Sequence, residues 1–103
     1  MGIQPHGMVL AYGVTKSAVH ALCKNLVKEF EGTGTTVNAV VPGFVETPWQ
    51  KGRSQESYDR INRKINLHRF AQPDEVAKLV YDTMTNDFIN GTLLEISGGY
   101  EYF

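Results

Sequence analysis

The chain has 103 residues, and its ten basic and eleven acidic side chains leave a formal net charge of −1 at pH 7. This near balance argues against partners that are bound through positive charge, namely nucleic acid and anionic membranes. No apolar run approaches the roughly 18 residues of a membrane-spanning helix, Met1–Val9 lacks a signal-peptide pattern, and the single cysteine, Cys23, fits a reducing compartment. We therefore expect a cytoplasmic protein of one domain, or a piece of one.

The first predicted element is a helix from Tyr12 to about Phe30, preceded by a packed loop over residues 1–11. Gly32 and Gly34 are expected to end it. Its apolar residues recur at helical spacing and predict a buried stripe that comprises Val19, Leu22, Cys23, Leu26, Val27 and Phe30.

Two predicted strands and a second helix follow. Thr36–Val41 is short and rich in β-branched residues, and Thr92–Ile96 follows an Asn-Gly turn, so both are predicted as strands. Residues 44–68 are weakly periodic and predict a mobile segment with one or two short helices. A helix begins near Gln72, and its buried stripe is expected to contain Val76, Leu79, Val80, Thr83 and Met84.

Helices that alternate with strands predict an α/β fold in which the strands are parallel and joined by a right-handed crossover. A parallel sheet is normally covered on both faces, and two strands alone would leave edges and faces open. The pattern therefore indicates a part of a larger sheet.

Tyr12 and Lys16 lie one turn apart on the first helix, on the side that carries the apolar stripe. A cation beside a phenol favours the phenolate and lowers the tyrosine pKa, which suits proton exchange with an alcohol or carbonyl oxygen. From spacing alone the alternative is stronger: a lysine whose ammonium reaches solvent at a helix end, and a tyrosine that packs as an aromatic ring.

The loop PGFVETP, residues 42–48, follows the first strand. Ligands of open α/β sheets bind beyond the carboxyl ends of the strands, and Gly43 lets a ligand approach the backbone closely. The backbone of Val45 and the hydroxyl of Thr47 could bond an amide or a phosphate. Taken alone, the loop is better explained as an ordinary turn with a satisfied threonine.

Together these segments resemble the short-chain dehydrogenase/reductase family. AYGVTKSAVHALCKNLVKEF followed by TVNAVVPGFVETP resembles the family's Tyr-x-x-x-Lys helix and the next strand with its Pro-Gly loop. HRFAQPDEVA and GTLLEISGGY resemble its Arg-x-x-x-Pro-x-Glu segment and its last strand with the Gly-Gly ending. The resemblance implies that residues 1–103 are the C-terminal part of a Rossmann-type, doubly wound parallel sheet without its N-terminal nucleotide-binding half. Within the family, the chain resembles the 3-oxoacyl-carrier-protein reductases and similar small-carbonyl reductases.

The resemblance also implies a reaction, the interconversion of a carbonyl and an alcohol with NAD or NADP as cofactor. Tyr12 would be the general acid/base, and Lys16 would lower its pKa and hold the nicotinamide ribose. The other residues implied at the cofactor are Pro42, Gly43, Val45 and Thr47. Phe44 and Trp49 are implied at the small-molecule substrate, and residues 48–66 would form a lid over it.

Departures from the family pattern lead to a second hypothesis. The phosphate-binding GxxxGxG turn is absent from the 103 residues, and we expect them to be a fragment whose isolated activity is doubtful. The alternative is a non-catalytic remnant that serves as an oligomerisation or interaction module, and under either reading a homo-oligomer is expected. No metal site is expected, because His6, His20 and His68 lack a ligand-like spacing.

Overall fold

The computed structural model describes the backbone of residues 5–100 and the side chains of residues 13–100. The elements in chain order are helix α1 (Pro5–Glu29), strand β1 (Ala39–Pro42), a 3-10 helix (Pro48–Gln50), helix α2 (Gln55–Lys64), helix α3 (Pro73–Met84) and strand β2 (Leu93–Ile96). They belong to two compact units. Among the described residues, unit 1 holds α1, the chain from there to Val41 and Asn86–Leu94, whereas unit 2 comprises Pro42–Thr85 and the chain from Glu95 to Tyr100.

Strands β1 and β2 are neighbours in a two-stranded sheet. In unit 1 the Ala39 N–H donates to the Thr92 carbonyl at 3.0 Å, and in unit 2 the Gly43 N–H donates to the Ile96 carbonyl at 2.8 Å. Both partners advance along the chain in the same direction, so the strands are parallel, as predicted.

Strand β1 begins later than the predicted Thr36. The Val37 N–H donates to the Asn90 side-chain oxygen at 2.9 Å, and the Asn38 side chain donates to the Ile89 carbonyl at 2.9 Å. The Val37 carbonyl still accepts the Gly91 N–H at 2.8 Å, but side-chain hydrogen bonds replace the remaining ladder bonds over Val37 and Asn38, which a run of β-branched residues does not indicate.

Helix α1 begins at Pro5, seven residues before the predicted start, so the expected loop over residues 1–11 is wrong for its last seven positions. Proline is compatible with a first helical turn, because the N–H it lacks would have no partner there. The helix ends at Glu29, and Gly32 and Gly34 follow with φ of 75° and 80°, as their role in stopping a helix predicts.

The predicted apolar stripe of α1 is largely uncovered in the described part of the chain. Cys23 is 3% exposed and its thiol donates to the Val37 carbonyl at 3.2 Å, whereas Leu22 is 59% exposed. Val19, Leu26 and Phe30 are exposed too, and Val27 is partly buried. The expectation of a buried stripe is thus wrong except at its centre, since helical periodicity specifies which residues share a face and not what covers them.

The core of unit 2 is built from Ile61, Ile65 and Phe70, with Phe44, Tyr58 and Tyr100 packed against it. The weakly periodic residues 44–68 therefore supply most of this core. The two short helices expected there are the 3-10 helix and α2. Helix α2 begins at the N-cap Ser54, whose hydroxyl accepts the Ser57 N–H at 3.1 Å.

Helix α3 starts at Pro73, close to the predicted position. Of its predicted stripe, Thr83 is buried and Val76 and Leu79 are partly buried, but Val80 and Met84 are exposed. The prediction is wrong for these two, because in the described residues only one side of the stripe is covered.

Candidate active site

The predicted catalytic pair belongs to α1 in unit 1. The backbone of both Tyr12 and Lys16 is helical, so the two positions lie one turn apart. The side chain of Lys16 is partly buried and lies seven residues before the buried Cys23, which places both on one face of the helix. The Tyr12 side chain lies outside the described residues, and the predicted contact between its hydroxyl and Lys16 therefore stays a prediction.

The predicted cofactor loop, Pro42–Thr47, lies in unit 2 and begins at the last residue of β1. Gly43 continues the ladder through its hydrogen bond to Ile96. Beyond it, Val45 forms an isolated parallel bridge with Ala71. The loop is thus an extension of the strand beyond its carboxyl end, where ligands of open α/β sheets bind.

The bridge determines which way the Val45 peptide groups face. The Ala71 N–H donates to the Phe44 carbonyl at 3.0 Å, and the Glu46 N–H donates to the Ala71 carbonyl at 2.8 Å. In a strand, the N–H and carbonyl of the intervening residue face the opposite side. The Val45 N–H therefore faces away from Ala71, where it is able to donate to a ligand.

Thr47 has extended backbone and precedes the 3-10 helix, but its hydroxyl makes no capping hydrogen bond to that helix. Its side chain is half-buried. The Val45 backbone N–H and the Thr47 hydroxyl are two residues apart in the chain, directly before the 3-10 helix. One donor and one donor–acceptor suit a planar carboxamide, so these residues fit the nicotinamide group.

The two residues predicted at the substrate have different environments. The Trp49 ring is 90% exposed. Phe44 is partly buried, and its ring centroid lies 5.4 Å from that of Phe70 and 5.3 Å from that of Tyr100. Phe44 is therefore part of the aromatic core of unit 2, a packing role that sequence reasoning missed.

Sequence reasoning also missed a polar network between the loop and α2. Gln50 is 8% exposed, its side-chain N–H donates to the Val45 carbonyl at 3.2 Å, and its oxygen accepts from Arg53 Nε at 2.8 Å. Arg53 also donates to the Ser57 hydroxyl at 2.8 Å. The i, i+3 and i+7 spacing of these polar residues was the available signal, but it is also typical of an exposed helical face.

A second contact joins the loop to α2. The Tyr58 hydroxyl donates to a Glu46 carboxylate oxygen at 2.6 Å. This hydrogen bond, supported by partial desolvation, raises the pKa of Tyr58 above its usual value. Tyr58 thus remains a phenol that anchors α2 to the residue between Val45 and Thr47.

The described residues hold neither a cluster of metal ligands nor a membrane-spanning helix. Among the side chains of residues 13–100, no three His, Cys, Asp or Glu residues gather as metal ligands would. Within residues 5–100, no helix combines the length and the apolar character needed to cross a bilayer.

Comparison with known proteins defines the family. A family model described as enoyl-(acyl carrier protein) reductase matches residues 2–101. The short-chain dehydrogenase/reductase homolog YusR of Bacillus subtilis is 35% identical over 98 residues, which cover 95% of this chain and 74% of YusR. A 3-oxoacyl-[acyl-carrier-protein] reductase, FabG of Thermotoga maritima, is 32% identical over 90 residues, or 85% of this chain. The match spans 37% of that FabG.

Solved structures of dehydrogenases have the same fold over most of this chain. A 3-hydroxyacyl-CoA dehydrogenase type-2 from Mycobacterium avium superposes with a TM-score of 0.83 at 26% identity, over 91% of this chain and 37% of that one. A small-chain dehydrogenase in complex with NADPH superposes with a TM-score of 0.69 at 25% identity, over 81% of this chain and 39% of that one. The chain belongs to the short-chain dehydrogenase/reductase family, whose members are oxidoreductases that use NAD(P)H.

Proposed function

We propose that the protein takes part in an NAD(P)-dependent interconversion of a carbonyl and an alcohol, with Tyr12 as general acid/base. The observation that carries the proposal is the family match over residues 2–101, within which Tyr12 and Lys16 stand one turn apart on α1. The chain spans about 37% of the FabG-type relatives it matches, so the activity is proposed for the protein in which these residues work.

The bound cofactor supplies or accepts the hydride. In the reductive direction Tyr12 donates its phenolic proton to the carbonyl oxygen, and in the oxidative direction it takes the proton from the alcohol. The Lys16 ammonium lowers the pKa of Tyr12, because a nearby positive charge stabilises the phenolate. Lys16 also donates hydrogen bonds to the nicotinamide ribose hydroxyls.

The loop after β1 orients the nicotinamide ring. The Val45 N–H and the Thr47 hydroxyl bind its carboxamide, and Pro42 and Gly43 form the adjoining wall. Support comes from the Val45–Ala71 bridge, which leaves the Val45 N–H facing away from Ala71. A ring held in one orientation presents the same face to every substrate molecule.

Residues 48–66 form the proposed lid, with Phe44 and Trp49 at the substrate. A tryptophan ring that is almost fully exposed is well suited to cover a bound ligand. The substrate class follows from the relatives, whose names include reductases of 3-oxoacyl groups carried by acyl carrier protein and a meso-2,3-butanediol dehydrogenase. We therefore propose a small or acyl-linked carbonyl compound.

A second function is favoured by a separate observation. Apolar side chains are exposed along both long helices, including Val14 and Leu22 on α1 and Tyr81 and Met84 on α3. Exposed apolar surface of this kind marks interaction sites. The alternative is a non-catalytic oligomerisation or interaction module, and a homo-oligomer is proposed in either case.

The test compares cofactor binding and turnover in wild type and two tyrosine variants. NADH or NADPH should raise the thermal unfolding temperature of the wild-type protein. Tyr12→Phe should abolish carbonyl reduction, and the variant should unfold at the same temperature as the wild-type protein. The control is Tyr81→Phe on the exposed face of α3, which should retain full turnover.

An oligomer that binds neither cofactor would contradict the enzymatic proposal and support the interaction module. Near wild-type turnover in Tyr12→Phe would show that another group transfers the proton.

A further inference from the structure

Gln50 and Thr83 are the buried polar residues in the described part of unit 2, and Gln50 is the one that lies beside the proposed cofactor loop. It is 8% exposed, and both ends of its amide are bonded, to the Val45 carbonyl at 3.2 Å and to Arg53 Nε at 2.8 Å. Because Arg53 only donates and a carbonyl only accepts, these partners fix the amide orientation, with the oxygen towards Arg53 and the nitrogen towards Val45.

From this arrangement we propose that Gln50 is a positioning residue for the nicotinamide carboxamide, acting through the Val45 peptide, and that Arg53 couples it to α2. The inference rests on the proposed function, since it assumes that the Val45 N–H binds the carboxamide. Neither Gln50 nor Arg53 touches the cofactor in this scheme.

The peptide groups at Val45 are held from two sides. The Val45 N–H and carbonyl face the same side, opposite to the side that bonds Ala71. The Gln50 hydrogen bond holds the Val45–Glu46 peptide group, and the Ala71 N–H, through the Phe44 carbonyl, holds the Phe44–Val45 peptide group that carries the Val45 N–H. With the peptide groups on both sides of the Val45 Cα held, the Val45 N–H has a fixed direction. Two anchors, Ala71 on one side and Gln50 on the other, thus prevent rotation of this segment.

Arg53 links Gln50 to α2. Arg53 donates to the Ser57 hydroxyl at 2.8 Å, and Ser57 lies in the first turn of that helix. The guanidinium carbon lies 5.9 Å from the ring centroid of Phe44 and 6.0 Å from that of Tyr58, at the distance of cation–π contacts. Arg53 is therefore held by two hydrogen bonds and two rings, and it holds Gln50 in turn.

The consequence is a mechanical connection between the proposed lid and the proposed cofactor loop. A displacement of α2 that pulls Arg53 away from Gln50 removes the support of the Val45 carbonyl. Binding of the nicotinamide ring and the ordered position of α2 should accordingly stabilise each other.

The test separates the nicotinamide end of the cofactor from the rest. Affinities are measured for NADH and NADPH, and for ADP-ribose and its 2′-phosphate, which lack nicotinamide. The variants are Gln50→Met, which removes both hydrogen bonds at similar volume, and Gln50→Glu, which retains an acceptor for Arg53 but cannot donate to Val45 when ionised. Lys78→Gln, at an exposed ion pair on α3, is the control.

Both Gln50 variants should bind the reduced dinucleotide about tenfold more weakly than wild type and bind the matching ADP-ribose within about twofold of wild type. Gln50→Glu keeps the contact with Arg53 and thus provides a second variant if Gln50→Met unfolds. Lys78→Gln should change neither affinity.

Equal losses for both ligands, or no loss for the dinucleotide in Gln50→Glu, would overturn the positioning role and leave the proposed function intact. A wild-type protein that binds neither ligand would instead refute the proposed function, and the inference with it.

Discussion

The Arg69 guanidinium forms a two-point ion pair with the Glu75 carboxylate, with N–O distances of 2.7 and 2.8 Å. The same carboxylate accepts the Gln72 N–H at 2.8 Å, directly before the first turn of α3. Glu75 therefore links the preceding segment to a helix N-terminus, where a negative charge is also favoured by the helix dipole. This relationship gives the Arg-x-x-x-Pro-x-Glu pattern of the sequence a structural reason.

The ion pair predicts a specific pH dependence of stability. The hydrogen bonds from Arg69, and then from the Gln72 N–H, lower the pKa of Glu75 to about 2. A pKa that is lower in the folded than in the unfolded state stabilises the fold above the unfolded value, and this contribution is lost as the pH falls towards about 2. Glu75→Gln should therefore be less stable than wild type at neutral pH, and the difference should shrink progressively below about pH 4.5.

Urea unfolding at several pH values measures this difference. Glu29→Gln, at an exposed position near the end of α1, is the matched control and should track wild type throughout. A Glu75→Gln deficit that stays constant down to pH 2 would mean that the ionised carboxylate is not what stabilises the N-terminus of α3.

The Gly-Gly ending after β2 packs against the chain that follows α2. The Asn66 N–H donates to the Gly99 carbonyl and the Leu67 N–H to the Gly98 carbonyl, each at 3.2 Å. A Cβ added at Gly99, where φ is 82°, would lie 2.7 Å from the Asn66 Cβ. The pair of glycines is thus required for close approach of two backbones as well as for its backbone conformation.

Gly99→Ala and Gly52→Ala separate these two effects. Gly52 has φ of 89° with no atom within 4 Å of an added Cβ, so its substitution should cost about 1 kcal/mol of unfolding free energy from backbone strain alone. Gly99→Ala should cost a further 1–3 kcal/mol or so, because Asn66 must also move. Equal losses in chemical denaturation would show that packing against Asn66 contributes nothing.

Ile65 is the most deeply buried side chain of unit 2, at 1% exposure. Ile65→Ala should reduce the free energy of unfolding by about 2–5 kcal/mol, because it leaves a cavity between Ile61 and Phe70. Leu67→Ala, two residues on at an exposed position, should change it by less than about 1 kcal/mol. Calorimetry of the three proteins checks the order, and a loss in Leu67→Ala as large as in Ile65→Ala would contradict the assigned core.

Thr47 offers a test of the proposed carboxamide contact that does not involve the core. Thr47→Val keeps the shape of the side chain and removes a hydroxyl that caps no helix, so NAD(P)H affinity should fall about tenfold at unchanged stability. Thr33→Val is the opposite control, because the Thr33 hydroxyl donates to the Phe30 carbonyl at 2.6 Å in the turn after α1. It should lower stability and leave the affinity unchanged in titration calorimetry.

Much of the fold was accessible from the sequence because its signals are local. The start of α3 follows from a proline beside acidic residues, the end of α1 from Gly32 and Gly34, and the parallel pairing from the alternation of helices and strands. One kind of error arose where a partner lies far along the chain. Asn90 is the example, because its side chain bonds Val37 and delays the start of β1.

The residues of the candidate site likewise divide into those that sequence motifs identified and those that they did not. Tyr12 and Lys16, and the loop from Pro42 to Thr47, were identified from short motifs whose order along the chain resembles one family. The support of that loop was not identified, since Gln50 and Arg53 belong to no motif and act through Val45 and Ser57. Their roles depend on side chains meeting across a 3-10 helix and a helix N-terminus.

The sequence by itself determined the family, the element types and the residues proposed for chemistry, because spacing, turn residues and ordered motifs are properties of the chain alone. The tertiary structure alone decided which apolar faces are covered, why Gly99 must lack a side chain, and how the Val45 peptide is held. Burial and hydrogen bonding depend on which distant segments come together. The periodicity of apolar residues does not indicate which segment will cover an apolar face.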